Sequence, residues 1–167
     1  VDLGFNTSWS GPIDGTDDPR PGMIVTARKH RRGNESAYRF AVNRHRGRKL
    51  YTVKAVCQRV VDGDTLLVRL DLGFHIWRTE RLRLRGIDTP ELYSSAGQQA
   101  RDFVREALSQ VPFMVICTSV RDKYGRYLAD LFYLPGATDP LDVFSDGLCL
   151  NRQLLDAGLA RPYSGRA

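Results

Sequence analysis

Three cysteines, Cys57, Cys117 and Cys149, are all that this chain of 167 residues contains, and they are odd in number and far apart. A disulfide framework needs paired cysteines and a zinc site needs clustered ones, so the sequence points to neither. The three read instead as small buried apolar residues. Long apolar runs are equally scarce, and nothing approaches the roughly 20 residues that a helix needs to cross a bilayer. The first residues, Val1-Asp2-Leu3-Gly4-Phe5-Asn6, lack the basic-then-apolar order of a signal peptide. Because the chain starts at Val1 rather than Met, a trimmed or processed N-terminus is expected. Acidic residues are nearly missing from one region: Arg28, Lys29, Arg31, Arg32, Arg39, Arg44, Arg46, Arg48, Lys49, Lys54 and Arg59 stand against Glu35 alone. With a net charge of +6 and a pI near 9.5, the chain favours polyanionic partners, although the same charges would also serve as a solvated face.

What is present divides the chain in three. Residues 1–22 are rich in Gly, Pro, Asp and Ser, with breakers at Gly11-Pro12, Asp14-Gly15 and Pro19-Arg20-Pro21-Gly22, and read as a flexible leader. Residues 23–50 read as a basic N-terminal extension containing a β-hairpin, with strands at Met23–Arg28 and Ala37–Asn43 and a turn at Gly33-Asn34. Residues 51–167 form the main domain, and the apolar content of 42% is enough for a small-domain core.

Within that domain the periodicities are sharper. Val53, Ala55 and Cys57 alternate with Thr52, Lys54 and Val56, and after Asp62-Gly63 the residues Leu66, Val68 and Leu70 follow with period two, which predicts a hairpin. The next strand, Arg81-Leu82-Arg83-Leu84-Arg85, places two leucines on one face and three arginines on the other. Pro90 cannot continue a ladder, so Asp88, Thr89 and Glu91 fall on the loop that leaves the strand. Ala100, Phe103, Val104, Ala107 and Leu108 recur at helical spacing between Gln98 and Gln110, with Ser94 or Ser95 as the cap. Phe113 to Val120 and Tyr127 to Leu134 read as two further strands with Asp122 to Arg126 as their turn. A loop through Pro135, Gly136, Pro140 and Gly147 then leads to a short helix at Asn151 to Ala157. Five strands with a helix after the third predict a mainly β (α+β) domain, a five-stranded barrel of the oligonucleotide/oligosaccharide-binding (OB-fold) type with two or three helices. The strand order does not follow from the sequence.

Three short blocks carry the chemistry: Val61-Asp62-Gly63-Asp64-Thr65, Arg83-Leu84-Arg85-Gly86-Ile87-Asp88-Thr89-Pro90-Glu91 and Asp122-Lys123-Tyr124-Gly125-Arg126. Carboxylates hold hard cations and prepare water, while guanidiniums neutralise charge that builds on a phosphate. Each block alone has a structural explanation, because Asp-Gly is a common hairpin turn, Asp-Thr-Pro-Glu a capped turn and Tyr-Gly-Arg a hairpin with an exposed arginine. Their joint order is what these explanations leave over.

From about Tyr51 to Tyr163 that joint order resembles the staphylococcal nuclease (thermonuclease) family, including Tyr127-Leu128-Ala129 and the run from Asn151 through Leu154-Leu155-Asp156-Ala157-Gly158-Leu159-Ala160. The resemblance implies an OB-type barrel and a calcium-dependent nuclease acting on DNA and RNA. Asp64 and Asp88 match the carboxylates that bind the ion, Thr89 the residue that offers its carbonyl, and Glu91 the proposed general base. Arg83 and Arg126 match the arginines that grip the scissile phosphate. Lys123, Tyr124 and Tyr163 fall at or near positions that contact the nucleotide. The same resemblance implies cutting at the 5′ P–O bond and a secreted or periplasmic location. Nucleic acid is the expected partner, single-stranded by preference because a small barrel groove reads backbone and stacked bases, with a monomer and no membrane expected. Residues 1–50, the long span from Pro135 to Cys149 and the end at Ala167 depart from the family pattern. Two alternatives remain: a related module that binds nucleic acid without cutting, and the nuclease part of a larger DNA-processing or plasmid-maintenance protein.

Overall fold

A computed structural model describes residues 2–5, 7–8, 10–18, 20, 23–32, 35–43 and 51–164. The chain divides into two compact units, Val1–Lys49 with Gly73–His75, and Leu50–Leu72 with Ile76–Ala167. In the first, β1 (Asp2–Gly4) pairs with β2 (Thr7–Ser8), and β3 (Ile24–Arg32) pairs antiparallel with β4 (Glu35–Asn43) in unbroken register from Ile24↔Asn43 to Arg32↔Glu35. The strands of this hairpin run past the expected Met23–Arg28 and Ala37–Asn43. Its expected turn at Gly33-Asn34, like Arg44, Arg46, Arg48 and Lys49, lies outside the described residues. Buried Phe40 stacks on Phe74 with ring centroids 5.2 Å apart. Residues assigned to the leader join this unit: Phe5 is buried, the Asp14 N–H donates to the Phe40 carbonyl at 2.6 Å, and the Val42 N–H donates to the Asp14 carbonyl at 3.3 Å.

The second unit contains the barrel. Its strands are β5 (Tyr51–Asp62), β6 (Thr65–Asp71), β7 (Trp77–Leu84), the short β8 (Ile87–Asp88), β9 (Met114–Arg121), β10 (Tyr127–Tyr133), and the short β11 (Leu148–Cys149) and β12 (Arg161–Pro162). Five of them close on themselves in the order β9-β5-β6-β7-β10, with β10 returning to β9. All contacts in the ring are antiparallel except β7 with β10, which is parallel through Tyr127↔Leu82, Leu128↔Arg83 and Ala129↔Leu84. Closure depends on β5, which pairs with β9 through Tyr51 to Ala55 and with β6 through Lys54 to Asp62. Register shifts between Cys57 and Arg59 and between Val60 and Asp62 bend it from one partner to the other, the usual role of a bulge in a barrel.

The alternation read from the sequence decides the faces. Along β10, Tyr127, Ala129, Leu131 and Tyr133 are buried while Leu128, Asp130 and Phe132 are only partly so, and Leu82 and Leu84 of β7 point inward with them. The outer face therefore carries Arg81, Arg83 and Arg85 beside Leu128 and Asp130, and Arg85 pairs with Asp130 at 3.0 Å. Helix α1 (Ser95–Leu108) buries Gly97, Ala100, Val104 and Leu108 and packs against β5. Its cap is Ser94, whose hydroxyl accepts from the Gly97 N–H at 3.0 Å.

The span from Pro135 to Cys149, read from the sequence as a loop, contains α2 (Pro140–Asp146) and β11. Asp139 caps α2 with a complete capping box and Pro140 opens it, signals that a seven-residue helix is too short to reinforce with apolar periodicity. Val143 packs with Phe113, Val115 and Ala137, which explains why Met114, Val115 and Ile116 are buried on both faces of β9. Helix α3 (Leu150–Asp156) begins one residue before the expected Asn151. The buried Asn151 amide accepts from the Leu131 N–H at 3.0 Å and donates to the Arg85 and Ala129 carbonyls at 3.0 Å each, so it ties β10 to the turn that follows β7. Among the described residues no helix is long and apolar enough to cross a membrane.

Candidate functional site

The site is built where the β5–β6 hairpin meets the end of β7. Asp62 pairs with Thr65, so the two loop residues are Gly63 and Asp64 rather than Asp62 and Gly63. Gly63 does not adopt a positive φ; a Cβ there would lie 2.8 Å from the Ala100 Cβ and 2.9 Å from the Thr89 Oγ1. The hairpin tip is thus pressed against α1 and the Thr89 loop, and Asp64 is carried inward until it is only 3% exposed. Its Oδ1 accepts from the Thr65 hydroxyl at 2.8 Å, and its Oδ2 from the Thr89 N–H at 3.5 Å.

Arg83 enters from β7, directly across from Thr65. Its Nη2 stands 2.8 Å from Asp64 Oδ2 and 2.8 Å from Asp88 Oδ1, and its Nη1 donates to Asp64 Oδ1 at 3.2 Å. Asp88 sits on β8, which pairs with β12 through Arg161↔Asp88 and Pro162↔Ile87. The Arg161 guanidinium donates twice to Asp88 Oδ2, from Nε at 3.1 Å and Nη2 at 2.8 Å. Asp64, Arg83 and Asp88 therefore stand in mutual contact through the Arg83 guanidinium, and Arg161 joins them.

These surroundings drive the two carboxyls in opposite directions. Burial pushes the Asp64 carboxyl above the usual carboxylate range, against the opposing effects of the Arg83 charge and the Thr65 and Thr89 hydrogen bonds. The Arg161 hydrogen bond, followed by that of Arg83, outweighs burial and holds Asp88 below that range. Asp64 is thus an incompletely compensated buried acid.

Thr89 contributes its N–H to Asp64, and its buried Oγ1 has no hydrogen-bond partner among the described residues. Glu91 is exposed on the loop before α1, and its backbone is tightly fixed. The Glu91 carbonyl accepts from the Ser94 hydroxyl at 2.7 Å and the Ser94 N–H at 3.0 Å, and a Cβ on Gly97 would lie 2.1 Å from the same oxygen. Ser94, read from the sequence as a helix cap, and Gly97 thus fix the backbone on which Glu91 stands.

Arg126 lies one residue before β10, on the same outer face as Arg83 by the register Leu128↔Arg83 and the strand alternation. Its guanidinium is held by Asp122, with Nε and Nη2 each 2.7 Å from Oδ2, while Asp122 Oδ1 accepts from the Tyr124 and Arg126 N–H groups at 2.9 Å each. Gly125, with φ +80°, completes this turn. The exposed Tyr124 ring lies under two cations, Lys123 Nζ at 5.0 Å and the Arg126 guanidinium at 5.3 Å from its centroid. Tyr163 is exposed beyond β12, and its N–H donates to the Gly86 carbonyl at 2.9 Å.

A hard divalent cation fits two of these donors. Asp64 Oδ2 and Asp88 Oδ1 meet at the same Arg83 nitrogen, so they are no farther apart than the two 2.8 Å contacts laid end to end. Carboxylate oxygens are the donor type that calcium takes, completing a flexible shell with water, and here both already meet the Arg83 guanidinium. Among the described residues no group of three or more His, Cys, Asp or Glu converges, so Glu91 does not form a cluster with this pair.

The family model described as "Staphylococcal nuclease homologue" matches residues 81–167. That span holds Arg83, Asp88, Thr89, Glu91 and Arg126, with Asp64 just ahead of it. A protein of Methanocaldococcus jannaschii, "Uncharacterized protein MJ1439", is 27% identical over 130 residues, covering 63% of this chain and 56% of the relative. The chain thus spans little more than half the length of that relative, whose name assigns it no activity.

Proposed function

Because the chain belongs to the staphylococcal nuclease homologue family, we propose that it is a calcium-dependent nuclease that hydrolyses phosphodiester bonds of DNA and RNA with low sequence specificity. The observation that carries this reading is the meeting of Asp64 Oδ2, Asp88 Oδ1 and the Arg83 guanidinium at one point beside the Glu91 loop. Asp64 and Asp88, with the Thr89 carbonyl, would hold the ion. When bound, calcium supplies charge that screens the phosphate and lowers the cost of deprotonating water.

The protein's own groups account for the rest. Glu91, on a loop locked by Ser94 and Gly97, accepts a proton from the attacking water or orients it in line with the scissile bond. Arg83 and Arg126 present planar donor forks on one face of the sheet, and such forks hold an oxyanion more strongly as its charge grows. Lys123 and Tyr124 lie beside Arg126, where a cation and a ring could receive a neighbouring phosphate and base, and Tyr163 offers a second exposed ring. A site that reads backbone and stacked bases favours single strands.

A second reading, binding without cutting, is favoured by one observation: both arginines are already engaged by carboxylates, Arg83 by Asp64 and Asp88, Arg126 by Asp122. Incubation with single-stranded DNA and RNA in calcium, with and without chelator, separates the two. Cleavage that stops with chelator and leaves 3′-phosphate ends supports the nuclease. Retained binding with no cleavage in calcium supports the second reading.

A further inference from the structure

Asp88 is gripped on both of its oxygens, and by arginines of different character. Arg83, on Oδ1, has a side chain only 18% exposed and is shared with Asp64. Arg161, on Oδ2, has a side chain 80% exposed and touches no other acid among the described ion pairs. An exposed ion pair of this kind contributes little stability, so folding alone gives a weak reason for it.

Its placement is nonetheless fixed by the backbone. Helix α3 ends at Asp156, and just beyond it the Leu159 and Ala160 N–H groups donate to the Leu154 carbonyl at 2.9 and 3.1 Å. The next residues run as β12 against β8, with Arg161 directly opposite Asp88 and the Tyr163 N–H on the Gly86 carbonyl. The Arg161 fork does not span both carboxylate oxygens. Nε and Nη2 both go to Oδ2, which leaves Oδ1 to Arg83 Nη2, the nitrogen that also meets Asp64 Oδ2.

Resting on the reading of Asp64 and Asp88 as cation ligands, we infer that Arg161 is a positioning residue: by holding Oδ2 from outside, it fixes Asp88 with Oδ1 at the Arg83 nitrogen that also meets Asp64 and so prepares the pair for a divalent cation. Outer partners that orient a ligating carboxylate commonly change metal affinity by about 10–100-fold when removed.

The test is calorimetric titration of the whole chain with calcium, comparing wild type with Arg161→Ala and Arg161→Lys, alongside thermal unfolding in chelator. The inference expects calcium affinity to fall about tenfold or more in Arg161→Ala. It expects part of that loss to be recovered in Arg161→Lys, whose ammonium can still reach Oδ2, and unfolding temperatures in chelator to stay unchanged. Equal or tighter calcium binding by Arg161→Ala overturns it. So does a loss of affinity accompanied by a matching loss of stability in chelator. Wild type that binds no calcium removes the proposed function itself, a result distinct from a failure of the Arg161 comparison alone.

Discussion

Arg83 meets Asp64 through both arms of its guanidinium, Nη2 to Oδ2 at 2.8 Å and Nη1 to Oδ1 at 3.2 Å, at a point where Asp64 is almost wholly buried. The pair is therefore part of the fold as well as part of the site. Removing one member of a buried pair strands the other, at a cost of about 3 kcal/mol. Arg83→Ala should accordingly lower the unfolding temperature in chelator as well as abolish cleavage, and added calcium should restore part of the stability by occupying Asp64. Thermal unfolding with and without calcium checks this, and a variant as stable as wild type in chelator would contradict it.

Gly97 gives a prediction whose sign separates two effects. Helix propensity alone favours Ala over Gly by about 1 kcal/mol. A Cβ here, however, would stand 2.1 Å from the Glu91 carbonyl oxygen and 2.7 Å from that of Pro90. Gly97→Ala should therefore destabilise the domain and displace the Glu91 loop, with cleavage falling at least about tenfold while DNA binding persists. Denaturant midpoints and single-turnover rates on the same preparation test both parts.

Asp122 supplies a pH dependence. Burial alone would raise its carboxyl, but the Arg126 N–H, the Arg126 guanidinium and the Tyr124 N–H outweigh it and hold the group below the usual range. A depressed acid stabilises the fold above its unfolded value, roughly pH 4, and loses that contribution as pH falls through the folded value. Asp122→Asn should be less stable than wild type at neutral pH, and the difference in unfolding temperature should shrink as pH drops below about 4. A difference that does not change with pH would mean that the charge on Asp122 is not what holds Arg126.

The hairpin of the first unit places Arg28 directly opposite Arg39, both exposed. Like charges across a strand pair work against folding, and an anionic partner would neutralise both. If both touch phosphates, replacing the pair with alanine should flatten the salt dependence of single-strand binding by about 1.4 in logarithmic slope, without destabilising the chain. An unchanged slope returns the pair to solvated surface.

The barrel was legible because its strands obey period two where one face is buried, as along β10 and at Leu82 and Leu84 of β7. The helix at Ser95–Leu108 was legible from its apolar stripe and serine cap. Strand order was not, because the parallel contact of β7 with β10 joins segments far apart in sequence and leaves no local mark. Helix α2 was missed because seven residues carry caps but little periodicity. For Asp64, Arg83 and Asp88 the residue types were readable, whereas their convergence follows only from the register of β6, β7 and β8. Arg161 gave no signal at all, since its tie to Asp88 comes from two strands of two residues each.

The most direct test of the central claim is calcium-dependent cleavage of single-stranded DNA by wild type and Glu91→Gln, with binding measured on the same samples. The account predicts chelator-sensitive cleavage by wild type, a loss of about 100-fold or more in the variant, and little change in DNA binding. Equal, chelator-insensitive cutting by both proteins would contradict it.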